Sequence, residues 1–428
     1  MGALSLIAPR RVRGVVDVPG DKSISHRGLI LAGLAAGRCV LRHRGPGEDQ
    51  ESMVRCLRQL GVEIHDVADT TLVAGVGLRG LAQSSTDLNC GNSGNTMRFL
   101  CGALAATPGV RSRLVGDASL SRRPMARVAT PLAVLGADVR TAGGGTAPVD
   151  IAGARLRGGS VRIEVPSAQV KTAVLLAALQ ADGLTAVSEP VLTRDHTERM
   201  LRLLGVDIRA DKAITLQPPA RIDPFDLTVP GDPSSAAFFA VLAAIHPDAE
   251  LTIRGVCLNP TRTGFLEVLA RMGADVRVEN QGHQAGELVG DLVVRSSGLE
   301  GAVIAAWEVP SMIDEVPILA VAATAAAGAT RFCGLAELRH KEVDRLAAVE
   351  AQLRTLGASV SVEGDDLLVQ GRTELSGAAV SSLGDHRMAM ALAVAASCAV
   401  GETDLHDAAA AAVSYPGFFA QLEAVSER

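Results

Sequence analysis

One type of junction recurs six times along the chain and restricts the folds open to it. An extended stretch ends at Gly or Pro, a small polar residue follows, and an apolar helical run begins. The copies are Gly20-Asp21-Lys22, Gly91-Asn92-Ser93, Pro166-Ser167-Ala168, Gly231-Asp232-Pro233, Pro310-Ser311-Met312 and Gly384-Asp385-His386. Their anchors at 20, 92, 166, 231, 310 and 384 lie 72, 74, 65, 79 and 74 residues apart. A second mark alternates with the first, a helix ending in Leu or Met, then Gly, then Ala or Val, then an alternating strand. It occurs at Gly61, Gly136, Gly205, Gly273 and Gly357, each placed where a helix C-terminus needs a left-handed residue.

The spacing predicts six α+β units of about 70 residues, longer than the repeats that stack into solenoids. The polar residue of each junction is expected to cap the helix that follows. Apolar residues surround the helices at 174–179 and 236–242 rather than forming a stripe, so these helices are expected to be covered on nearly all sides. Strands then lie outside and helices inside, three units to a globule. The two Val-Pro-Gly-Asp copies, at 18–21 and 229–232, are the natural crossovers. One domain is expected at 21–231, the other at 232–428 completed by 1–20, because no strand is visible after Leu422. The uncharged runs 316–330 and 388–400 are too short to span a bilayer and read as core helices. Seven scattered cysteines without a Cys-x-x-Cys pair, and an N-terminus without a signal-peptide core, fit a cytoplasmic protein without disulfides or zinc.

Net charge is −6 and aromatic residues make up 2% of the chain, which excludes a global basic field and base-stacking platforms for nucleic acid. Cations nevertheless gather at or near the junctions: Lys22, Arg27, Arg98, Arg122, Arg123, Lys171, Arg194, Arg339, Lys341, Arg345 and Arg387. Singly each reads as a solvated surface charge; together, beside helix N-termini, they suggest a cleft for a small, multiply anionic ligand. Asp314, Glu342 and Asp385 lie among them and can exchange protons. His26, His340 and His386 are candidate general bases, although a hydrogen-bonded structural role is the commoner fate of each. No phosphate loop, dinucleotide fingerprint or zinc-protease motif is present, and no cofactor or metal is implied.

Ten ordered stretches resemble one family, EPSP synthase (3-phosphoshikimate 1-carboxyvinyltransferase). They are residues 18–27; Gly91-Asn92-Ser93-Gly94 through Met97-Arg98; Arg122 to Met125; Ser167-Ala168-Gln169-Val170-Lys171; Thr193-Arg194-Asp195-His196; 230–235; 259–264; Ser311-Met312-Ile313-Asp314-Glu315; 341–345; and Asp385-His386-Arg387. The resemblance implies a two-domain inside-out α/β barrel of six repeated units, helices buried and sheets outside, with the active site between the domains. It implies transfer of the enolpyruvyl group of phosphoenolpyruvate to the 5-hydroxyl of shikimate 3-phosphate in a monomer that uses no nucleic acid or membrane. Carried over by position, Lys22, Ser23, Arg27, Ser167, Ala168, Gln169, Arg194, Asp314 and Lys341 are expected to hold shikimate 3-phosphate. Lys22, Gly94, Arg123, Gln169, Arg345 and Arg387 are expected to hold phosphoenolpyruvate. Asp314, Glu342 and Lys22 are the expected catalytic residues, Asp314 taking the hydroxyl proton and Glu342 protonating the methylene carbon.

The Ser-Ala-Gln and Thr-Arg-Asp-His forms resemble the class II, glyphosate-tolerant branch. Yet Gly94 stands where that branch has an Ala methyl, and Asn95 replaces the usual Thr. Glu337 stands where many members have Asn, and Ala412-Val413 where some carry a Lys. Three rivals are weaker. The related transferase acting on UDP-N-acetylglucosamine carries a reactive cysteine in a loop, and 111–127 has none. An RNA terminal phosphate cyclase would need a nucleic-acid face. A non-catalytic anion binder would be expected to lose Lys22, Asp314 and Glu342.

Overall fold

The computed structural model describes residues 3–427. It divides into two compact units, one of 20–230 with 283–287, the other of the N-terminal residues to Pro19, 231–282 and 288 onward. These boundaries fall one residue before the predicted ones, and 283–287 fall with the first of these units rather than the second.

Among the described residues there are twelve α-helices, placed in alternation by the two marks. The odd-numbered ones begin at the junctions: α1 (Lys22–Gly33), α3 (Gly94–Ala105), α5 (Ala168–Ala178), α7 (Pro233–Ile245), α9 (Val316–Ala325) and α11 (His386–Ala396). Of the even-numbered ones, α2 (Glu48–Gln59), α4 (Ala126–Val134), α6 (His196–Leu203), α8 (Gly264–Arg271) and α10 (Arg345–Thr355) precede the second mark, and α12 (Phe418–Ala424) ends at Val425 without it. Sequence character separates the two sets. α3 and α11 are buried along their whole lengths, whereas α4 buries three of nine residues and α12 two of seven.

The local chemistry accounts for both ends. Asp21, Ser93, Ser167, Asp232 and Asp385 cap α1, α3, α5, α7 and α11, their side chains accepting from first-turn amides at 2.7–3.4 Å. Gly61, Gly136, Gly205, Gly273 and Gly357 lie at φ between 78° and 91°, the conformation that ends a helix at least cost in a residue without Cβ. The fifth junction departs from the pattern. Ser311 turns its hydroxyl backward to the Glu308 carbonyl at 2.7 Å, so it caps nothing forward. Two 3₁₀ turns, Val309–Ser311 and Ile313–Glu315, intervene before α9 starts.

Among the described residues six sheets accompany the helices. In the 20–230 unit three share one order: a parallel pair, then two antiparallel additions. An example is Asp226–Thr228, Arg38–Arg42, Thr70–Ala74 and Glu63–Val67. The other unit has the same order at 303–304, 329–332, 366–370 and 359–363, a five-stranded sheet, and a three-stranded sheet. The five-stranded sheet corrects the expectation that no strand follows Leu422. Ser426–Glu427 pairs antiparallel with Arg11–Val12. Two residues suffice for the ladder but are too few to show alternation.

In the 20–230 unit, α3 crosses α5 at backbone distance. A Cβ on Gly102 would sit 2.0 Å from the Ala173 carbonyl oxygen, so only glycine allows the crossing. Among the described residues no helix is long and apolar enough to cross a membrane, and all seven cysteines are free.

Candidate active site

In the 20–230 unit the predicted residues gather at the N-termini of α1, α3 and α5, where amides and the helix dipole favour anions. Lys22 opens α1 and holds Asp49, in the first turn of α2, at 3.0 Å. Behind it, His26 is fully buried, facing the Lys22 carbonyl at 2.7 Å, the Asp49 carbonyl at 3.1 Å and the Ser93 hydroxyl at 3.2 Å. Burial lowers its pKa to about 4, so the ring is neutral at physiological pH. His26 is therefore a structural residue that locks α1 to the starts of α2 and α3, not a general base.

Arg27 is also internal, 2% exposed. It donates to Thr197 Oγ1 at 2.7 Å, Thr172 Oγ1 at 2.8 Å and the Ser23 carbonyl at 2.9 Å, with Phe99 beneath it. Its positive charge stands within α1, one turn from the helix N-terminus. Arg98, on α3, reaches the Gln169 side-chain oxygen on α5 and the Pro124 carbonyl, joining three predicted stretches. Arg123 is aimed by Asn92, whose Oδ1 it meets at 2.6 Å and which is held in turn by Asp117. Ser167, Ala168 and Gln169 are half-buried at the start of α5, and Arg194 is half-buried two residues ahead of α6.

Lys171 departs from the cationic set. It is fully buried, with Glu198 at 2.8 Å, Glu189 at 2.9 Å and the Thr193 carbonyl at 3.2 Å. Those groups make it a core ion pair that fixes the backbone just before Arg194. Arg122 and His340 are exposed, and His386 is buried at the first position of α11.

In the other unit Asp314, Lys341, Glu342, Arg345 and Arg387 form one network. Asp314 Oδ1 accepts from Lys341 at 3.1 Å and from Arg345 at 3.2 Å, and Arg387 approaches Oδ2 at 3.7 Å. Glu342 meets Arg345 at 2.5 Å. Arg345 itself is 1% exposed and gives its Nε to Asp385 at 2.7 Å. Burial opposes its charge, but Asp385, Glu342 and Asp314 outweigh burial and hold its pKa above the ordinary guanidinium value. Arg387 also lies 3.3 Å from Glu315, whose other neighbour is the Ser234 hydroxyl. Arg262 reaches Ser234 at 3.0 Å and Asp232 at 3.1 Å.

Sequence reasoning missed Asp49, Glu315 and Arg262 as partners. Only their places in the matching stretches, for Glu315 and Arg262, could have marked them; nothing local marks Asp49. The arrangement offers two anion-receptive helix clusters and, in one network, three carboxylates on a shared buried cation. That is the equipment for binding phosphates and moving protons.

Comparisons with known proteins agree with this chemistry. The family model for EPSP synthase (3-phosphoshikimate 1-carboxyvinyltransferase) matches residues 7–422. The chain is 49% identical over 435 residues to a 3-phosphoshikimate 1-carboxyvinyltransferase of Chloroflexus aurantiacus, covering 100% of both. It superposes on EPSP synthase from Acinetobacter baumannii with a TM-score of 0.88 at 38% identity, covering 99% of this chain and 98% of that one. The enolpyruvyl transferase NikO from Streptomyces tendae, at 20% identity and a TM-score of 0.78 over 99% and 98% of the chains, shares the fold. The chain belongs to the EPSP synthase family.

Proposed function

We propose that this protein transfers the enolpyruvyl group of phosphoenolpyruvate to the 5-hydroxyl of shikimate 3-phosphate and releases phosphate. The observation that carries the reading is the Asp314–Arg345–Glu342 network. Cations at 3.1–3.7 Å favour an ionised Asp314, ready to take the hydroxyl proton. The freed oxygen attacks C2 of phosphoenolpyruvate while Glu342 delivers a proton to C3, giving a tetrahedral ketal phosphate. Expulsion of phosphate, which carries off the hydroxyl proton held by Asp314, with return of a C3 proton to Glu342, leaves the enol ether and restores both carboxyl groups to their starting states.

Phosphates and a carboxylate are present before and after the tetrahedral species forms, so fixed cations and helix N-termini serve every stage. Lys22, Gly94, Gln169, Arg123, Arg345 and Arg387 serve phosphoenolpyruvate in this reading. Lys22, Ser23, Arg27, Ser167, Ala168, Gln169, Arg194, Asp314 and Lys341 serve shikimate 3-phosphate. Each unit is an inside-out barrel of three repeats in this reading.

Asp314→Asn is the test. Turnover is expected to fall about 10²–10⁴-fold, with the dissociation constant for shikimate 3-phosphate within roughly tenfold, about one lost hydrogen bond. Turnover above a tenth of wild type would remove Asp314 from the mechanism.

A further inference from the structure

Arg345 links the two proton-transfer carboxylates, and what holds Arg345 is Asp385. The Asp385 side chain is fully buried and divides its two oxygens. Oδ1 accepts the Arg387 and Met388 amides at 2.8 and 3.1 Å, capping α11. Oδ2 accepts Arg345 Nε at 2.7 Å. With Nε fixed, the two remaining guanidinium nitrogens have one orientation, Nη1 toward Asp314 at 3.2 Å and Nη2 toward Glu342 at 2.5 Å. A flexible side chain would otherwise have to order itself at each turnover.

We propose that Asp385 is a positioning residue for proton transfer. It fixes Arg345, and through that guanidinium sets both the spacing and the proton affinity of Asp314 and Glu342. The inference rests on the reading of those two residues as base and acid. The electrostatic consequence has a definite sign. Lys341 and Arg387 also face Asp314, Glu315 lies against Arg387, and Asp344 and His386 are the chain neighbours of Arg345 and Asp385. Asp385 is an anion that shares Arg345 with Asp314 and Glu342. Without its charge, Arg345 is less neutralised and one like charge is gone, so both carboxylates ionise at lower pH.

Asp385→Asn separates this role from capping. The amide oxygen still caps α11, while its N–H₂ now faces the Arg345 N–H and cannot accept from it. Turnover should fall roughly ten- to a hundredfold, the cost of a lost charge-assisted hydrogen bond. Both limbs of the kcat–pH profile should move to lower pH by on the order of one unit. Asp385→Ser keeps a capping oxygen but is too short to reach Arg345, and it should give the same displacement, so it carries the test if the Asn variant does not fold. A folded variant whose limbs coincide with wild type, however slow, overturns the proposal. Glu342→Gln, measured alongside, separates the two failures. If it keeps the wild-type alkaline limb, the functional reading fails. If it loses that limb while Asp385→Asn leaves it unmoved, the positioning role alone fails.

Discussion

Arg345 and Lys171 are both buried cations, but burial serves different ends in each. Arg345 ties together the carboxylates proposed as base and acid, whereas Lys171 neutralises Glu189 and Glu198 inside a packed core. Local sequence does not separate the two cases, since each is a cation near a helix start with acids within reach along the chain. His26 gives a test at this scale. Its folded pKa of about 4 lies below the ordinary 6.5, so between those values the unfolded chain binds a proton that the folded one does not. Stability must therefore fall as pH drops through that window, by a few kcal/mol in all, and return as pH rises. NMR of the His26 imidazole should show no titration above about pH 5. A midpoint near 6.5 in the folded protein would contradict its burial as a neutral residue.

At the scale of the element, the helix boundaries were the most legible part of the fold. Glycine after Leu or Met, and Asp or Ser before an apolar run, act locally, so sequence shows them directly. The fifth junction was not legible, because the choice of Ser311 to bond backward depends on the 3₁₀ turn around Glu308. Gly94, at the start of α3, carries a prediction of its own. A Cβ there would lie 2.6 Å from Arg98 Nη1 and 3.4 Å from Arg123 Nη1. Gly94→Ala must therefore displace the Arg98 guanidinium and loosen its hold on Gln169, as well as crowd the helix N-terminus. The KM for phosphoenolpyruvate should rise, and the glyphosate inhibition constant should rise by a larger factor, on the order of tenfold. Equal factors for the two would show that Gly94 does not discriminate between them and would direct attention to the buried Asn95.

For the molecule as a whole, an acidic chain of −6 net charge concentrates cations at helix N-termini in one unit and around Asp314 in the other. The candidate site was legible as a set of residue types, because repeated junctions mark where anions can bind. Its division of labour was not. Which arginine is interior, which lysine is a core ion pair, and which aspartate orients the rest depend on contacts between residues far apart in sequence, such as Arg27 with Thr197 or Arg345 with Asp385. The most direct measurement is phosphate release from phosphoenolpyruvate by the purified protein, followed with and without shikimate 3-phosphate. Enolpyruvyl transfer predicts release only when both are present, matched mole for mole by enolpyruvyl ether formed on the 5-hydroxyl. Phosphate release without shikimate 3-phosphate at the same rate, or no release with both substrates at saturating concentration, would contradict it.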